Sequence, residues 1–225
     1  MEATLECQIY TGGIAQTNGY LVRLRDGGGP VVLIDAPAGI GGWLRQLGAR
    51  PDWLLLSHHH FDHIEHAALV AETGARVLAF TRPTPELTLE SMAASWGMPM
   101  TVRPFEVDER LESLMAVEDP PADPGWHAVP GLDLGGEWRW AHVPGHSPDS
   151  VVFHLPALDW LFAGDTLFAG SIGRTDLPGG HHEQLIEGLR SRLLPLPDAT
   201  RVLPGHGPET TIGEEAADNP YVGGR

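Results

Sequence analysis

Six consecutive residues, His58-His59-His60-Phe61-Asp62-His63, limit what this chain can be more than any other part of it. They follow the apolar stretch Trp53-Leu54-Leu55-Leu56-Ser57 and set four metal-ligand side chains in the pattern His-x-His-x-Asp-His. Imidazole and carboxylate are the usual donors to zinc and related divalent ions. On a strand-to-loop turn, His58 and His60 are two apart and can point to one side, while His59 between them points away. Asp62 and His63 fall where a helix would start, displaced from the first pair. That layout suits two neighbouring metals better than one tetrahedral ion, and Ser57 is placed to orient the loop by hydrogen bonding.

Three further apolar runs end in glycine followed by a ligand-type residue. They are Arg139 to Gly145 before His146, Trp160 to Gly164 before Asp165, and Arg201 to Gly205 before His206. A short apolar run bounded by turn residues reads as a buried strand. Glycine before the ligand lets the backbone turn sharply beside a metal. Four strands thus deliver ligand-type residues from strand ends, which is what a preformed metal site needs.

The formal net charge of −16, from 14 basic and 30 acidic residues, argues against nucleic acid and anionic membrane surfaces as partners. Cys7 is the single cysteine, so no intrachain disulfide forms. The start Met1-Glu2-Ala3-Thr4 lacks the basic and apolar regions of a signal peptide, and no apolar run approaches membrane-spanning length. The expectation is a cytoplasmic protein.

Pattern along the chain predicts strands over 20–24 and 31–36, separated by Asp26-Gly27-Gly28-Gly29-Pro30. Helices are predicted over 40–47, 62–73, 84–96 and 181–193, with Gly48 and Gly74 ending the first two. A strand at 76–80 and a meander at 138–143, 151–155 and 160–163 complete the reading. The Pro- and acid-rich stretch 117–131 reads as a loop joining two halves of similar plan. Residues 1–225 are read as a single domain, with 84–131 as its helical and loop lid region.

These residues together resemble the metallo-β-lactamase superfamily, from about Thr17 to Tyr221. The resemblance implies an α/β fold, a four-layer αββα sandwich. It also implies that His58, His60 and His146 bind one metal, that Asp62, His63 and His206 bind another, and that Asp165 bridges them. Asp165 separates the chain from the true β-lactamases, which lack that carboxylate.

Within the superfamily the chain resembles the type II glyoxalases, or hydroxyacylglutathione hydrolases, in their short bacterial form. The likeness lies in Ile34-Asp35-Ala36-Pro37, Pro144-Gly145-His146-Ser147-Pro148, Ala163-Gly164-Asp165-Thr166, the stretch 170–180 and Gly205-His206-Gly207-Pro208. Glu65-His66 replaces a usual Gly-rich pair, and Asp149 stands where glycine is common. The chain ends soon after His206, so the C-terminal helical domain of full-length glyoxalases II has no counterpart.

The resemblance implies a binuclear hydrolase of thioesters such as S-(2-hydroxyacyl)glutathione, holding two divalent ions, zinc first, with iron or manganese as alternatives. Asp62 and Asp165 are the catalytic carboxylates, and Arg174 is the candidate for an anionic substrate group. Two other readings stand beside it: a mononuclear-iron persulfide dioxygenase using His58, His146 and Asp165, and a non-catalytic metal-stabilised binding module. The partner is a small thioester, with neither nucleic acid nor membrane. The oligomeric state is open.

Overall fold

The first half is built on β1 (Leu5–Gly12), β2 (Thr17–Leu24), β3 (Val32–Ile34), α1 (Ile40–Leu47), β4 (Trp53–Leu55), α2 (Phe61–Ile64), α3 (Ala67–Ala71), β5 (Arg76–Ala79), α4 (Pro85–Thr88), α5 (Glu90–Ser95) and β6 (Glu109–Arg110). The computed structural model describes residues 4–97, 101–115 and 125–224, in two compact units, Met1–Glu112 and Ser113–Arg225.

In the first unit the strands form one six-stranded sheet in sequence order. β1, β2 and β3 pair antiparallel; β3 to β6 run parallel. Strands parallel to one another finish at the same sheet edge, so Asp35, after β3, and the His58–His63 loop, after β4, emerge side by side. Leu33, Leu54 and Val77 from the sheet pack with Ile40, Leu44, Ile64 and Val70 from the helices, all buried.

Two predicted helices of this unit are broken in the structure. The helix expected over 62–73 divides into α2 and α3, because Ala36 takes the backbone bonds of that segment. Its N–H donates to the His63 carbonyl at 2.7 Å, and its carbonyl accepts the His66 N–H at 2.9 Å. The helix expected over 84–96 divides at Leu89, which is buried and left-handed at φ 56°. The predicted α1 is found over the expected residues, closed by left-handed Gly48.

The second unit carries β7 (His127–Asp133), β8 (Glu137–His142), β9 (Val151–Leu155), β10 (Trp160–Gly164), β11 (Leu167–Phe168), β12 (Ser171–Ile172), α6 (His182–Gly188), β13 (Arg201–Pro204), β14 (Thr210–Thr211) and α7 (Ile212–Asp218). Its six-stranded sheet has the order β14-β13-β10-β9-β8-β7, and β11 pairs with β12. The predicted meander is β8 to β10, paired antiparallel. β10 and β13 are parallel, so Asp165 and His206, which follow them, share an edge. β9 runs against β10, so the loop preceding it, with His146, lies at that edge too.

Of the stretch 117–131, residues 117–124 lie outside the described residues; 125–126 lead into β7, which takes up 127–131 in place of the loop expected. The helix expected over 181–193 is α6 followed by a π-helical turn, Leu189–Leu193. Among the described residues no helix is long and apolar enough to cross a membrane.

At the other end of β9, His154 is buried at 5 % exposure, with its ring 5.4 Å from that of Trp126. Burial pushes its imidazole from 6.5 down to about 4, and the Arg139 guanidinium acts the same way. An unfolded chain then binds the proton more readily than the folded one between those two values. Stability is intact above about pH 6.5 and falls as the pH drops towards 4, by about 3 kcal/mol for this group at most. His154→Phe should flatten that part of the pH–stability curve in urea melts. An unchanged slope would reject the assignment.

Candidate metal centre

In the first unit the chain delivers three imidazoles and one carboxylate to the edge where β4 ends. His58, His60 and His63 are all buried, at 1 %, 4 % and 0 % exposure. The His58 ring centroid lies 4.6 Å from that of His60 and 4.2 Å from that of His63. Donor atoms of His58 lie within 4.8 Å of donor atoms on both. Asp62, in the first turn of α2, places Oδ2 3.5 Å from His63 Nε2 and accepts the Thr17 hydroxyl at 2.6 Å.

Behind this set sits a residue whose role the sequence reading did not foresee. Asp35 is buried and left-handed at φ 58°, a conformation that Asp tolerates better than most residues. One of its oxygens accepts the Ser57 N–H at 2.8 Å; the other accepts the Ser57 hydroxyl and the His63 Nδ1 proton, each at 2.7 Å. Ser57 Oγ also lies 3.0 Å from His58 Nδ1, the orienting role expected of it. With Nδ1 of His63 committed to a carboxylate, its lone pair sits on Nε2, the tautomer a metal ligand needs. A polar residue closing a buried strand just before Pro37 was the available signal.

The second unit brings its own three residues together. Asp165 Oδ2 stands 3.5 Å from His146 Nε2 and 3.3 Å from His206 Nε2. The His146 Nδ1–H donates to the Arg174 carbonyl at 2.8 Å, which again leaves the lone pair on Nε2. Gly173 approaches the turn carrying Asp165 so closely that a Cβ on it would sit 1.9 Å from the Asp165 carbonyl oxygen. The buried Glu215 fastens the neighbouring loop by accepting the Gly170 N–H and the Thr210 hydroxyl.

The donor chemistry of both sets fits divalent metal. Two atoms each about 2.0–2.1 Å from a four-coordinate ion are roughly 3.3–3.4 Å apart. Pairs at 3.3–3.5 Å match that spacing, whereas the supporting hydrogen bonds at 2.7–2.8 Å do not.

The other histidines have different work. His59 is buried with its ring 6.4 Å from Phe105. His66 Nδ1 accepts the Gly39 N–H, and His181 caps α6 by accepting the Gln184 N–H. Burial holds the Glu65 carboxyl above its ordinary range, with Asp62 adding to the effect. Arg174 points its guanidinium at Asp176 in a two-bond pair, 2.8 Å for each, and the pair is largely exposed.

Two sheet units, each ending in clustered imidazoles with a carboxylate beside at least one of them, define a metal-binding α/β protein. The chain belongs to the metallo-β-lactamase superfamily, which it matches over residues 12–206, and it has that family's fold. A probable metallo-hydrolase of Bacillus subtilis, YqgX, is 33 % identical over 226 residues, covering 94 % of this chain and 95 % of that protein. The hydroxyacylglutathione hydrolase GloC of Haemophilus influenzae is 33 % identical over 175 residues, covering 75 % and 74 %.

Among solved structures, BLEG-1, a B3 metallo-β-lactamase, is 32 % identical, covers 97 % of this chain and 100 % of its own, and superposes with a TM-score of 0.78. TTHA1623 in a di-iron-bound form is 36 % identical, covers 95 % and 99 %, and has a TM-score of 0.73. Membership makes the chain a metal-dependent hydrolase in general terms.

Proposed function

We propose that the chain hydrolyses thioesters of the S-(2-hydroxyacyl)glutathione type, with His58, His60, Asp62, His63, His146, Asp165 and His206 holding two divalent ions. The observation that carries the reading is Asp165 Oδ2, within 3.5 Å of one imidazole and 3.3 Å of another. A carboxylate oxygen at metal-ligand spacing from two imidazoles can serve an ion held by either, and seven donor residues exceed the four that one such ion takes. The likeness to GloC supports the choice of thioester, and the di-iron form of TTHA1623 supports iron beside zinc as the metal.

When bound, such a metal pair supplies hydroxide near neutral pH and polarises an acyl carbonyl. The chain's own part is orientation. Asp35 and the Arg174 carbonyl set the tautomers of His63 and His146, and Thr17 fixes the rotamer of Asp62. Asp62 is then a fixed acceptor for the proton of a nucleophilic water. A thiolate is a good leaving group, so no strong general acid is required. No nucleic acid or membrane takes part.

The test pairs metal analysis with turnover on protein purified without chelator. About two metal ions per chain and hydrolysis of S-lactoylglutathione, lost on chelation and restored by zinc or iron, are expected. Oxygen uptake with glutathione persulfide and one iron per chain would replace the hydrolase with a dioxygenase. Hydrolysis of a β-lactam in place of the thioester would move the reading towards BLEG-1. Full metal loading with no turnover on any of the three would leave a binding module.

A further inference from the structure

The first unit contains a cavity of about 300 Å³ that the hydrolytic reading does not use. One wall is the Arg82-Pro83-Thr84-Pro85 segment that follows β5, and the other is the extended chain 102–107. Glu90 ties the walls together, accepting the Val102 N–H at 2.7 Å and the Thr88 hydroxyl at 3.0 Å. Pro83, Pro85 and Pro104 add apolar surface with fixed φ and no N–H to satisfy, so the walls are stiff before any ligand arrives. Phe105 and Val107 form the apolar base, packed towards the buried core. The size is at the low end of small-ligand pockets, and apolar walls with few polar groups are their usual make-up.

The charges at the cavity are of two kinds. Glu90 is spent on Val102 and Thr88, and Arg103 is paired with Glu72. Arg82 is exposed at the mouth and has no carboxylate partner among the described residues. Glu106, also at the mouth, sets a limit on the negative charge a ligand can bring.

We propose that this cavity binds a small carboxylic acid with an apolar chain, the chain against Pro104, Phe105 and Val107 and the single carboxylate on the Arg82 guanidinium. Guanidinium pairs with carboxylate through two parallel charge-assisted hydrogen bonds, which a single hydroxyl head group cannot match. The same Phe105 ring faces His59, between His58 and His60, so an occupant would rest one side chain away from the metal loop.

Calorimetry with octanoate and octanol on the full chain tests this. Both are measured before and after chelation, because a carboxylate can also ligate metal. Octanoate binding that persists without metal is expected, abolished by Val102→Trp, which fills the cavity, and weakened about tenfold by Arg82→Ala, the loss of one charge-assisted contact. Octanol should bind weakly and ignore Arg82→Ala, whose exposed site carries little folding risk. Binding lost on chelation would assign octanoate to the metal centre and overturn the proposal. So would no detectable binding at millimolar octanoate, or equal binding by folded wild type and both variants.

Discussion

Asp165→Ala protein should carry less metal at both positions and lose at least about a hundredfold in turnover, while keeping its sheet structure. The argument rests on where this carboxylate stands. One oxygen faces His146 and His206 at once, so its removal costs a donor to whichever ions those imidazoles hold. The backbone turn around it has fastenings besides that side chain. It is kept by Gly173, whose N–H donates to the Thr166 carbonyl, and by the Thr166 hydroxyl donating to the Ala163 carbonyl. Circular dichroism should therefore match wild type. Asp165→Asn, of the same shape without the charge, should fall between the two, since an amide oxygen is a weak ligand. Metal content by mass spectrometry is the deciding readout: an unchanged count in the alanine variant would remove the bridging role, whatever happened to activity.

The ligand-type residues were legible in the sequence for a physical reason. A strand-end glycine followed by His or Asp is a local signal, and His58 to His63 hold their pattern within one turn of chain. Parallel pairing of β10 with β13 then does the assembly in the second unit without further instruction from sequence. What the sequence hid was long-range. Helical spacing over 62–73 is real, yet Ala36, from a distant segment, takes two of its backbone bonds and splits it. At Leu89 apolar spacing continues through a residue that is buried and left-handed, a backbone state that spacing does not encode. Arg174 read as a substrate contact from its place after Asp165. In the structure its carbonyl accepts from His146 and its guanidinium forms an exposed pair with Asp176, the other use that its position in the sequence allows, and neither contact excludes a substrate role. Side-chain type alone does not distinguish these uses.

Asp35 is the sharpest case, and its replacement the second large effect. Asp35→Asn should fold but lose metal affinity at the His63 position by about 10- to 100-fold, the usual cost of removing a ligand's orienting partner. Its two oxygens accept from the Ser57 N–H, the Ser57 hydroxyl and His63 Nδ1. An amide has one oxygen and one NH₂. With the NH₂ towards His63, two donors face each other unless the ring shifts its proton to Nε2, which cancels the lone pair the metal needs. With the NH₂ turned the other way, it meets the Ser57 backbone N–H, which cannot rearrange. Asparagine tolerates the left-handed backbone at this position, so the cost should fall mainly on the site. Asp35→Ala differs: it strips the acceptor from buried donors, at about 1–3 kcal/mol for each one left unsatisfied, and should lower the melting temperature clearly. Metal titration of both variants against a chromophoric chelator separates the two effects. Wild-type affinity in a well-folded asparagine variant would show that His63 takes its tautomer from elsewhere, and that the buried carboxylate serves folding alone.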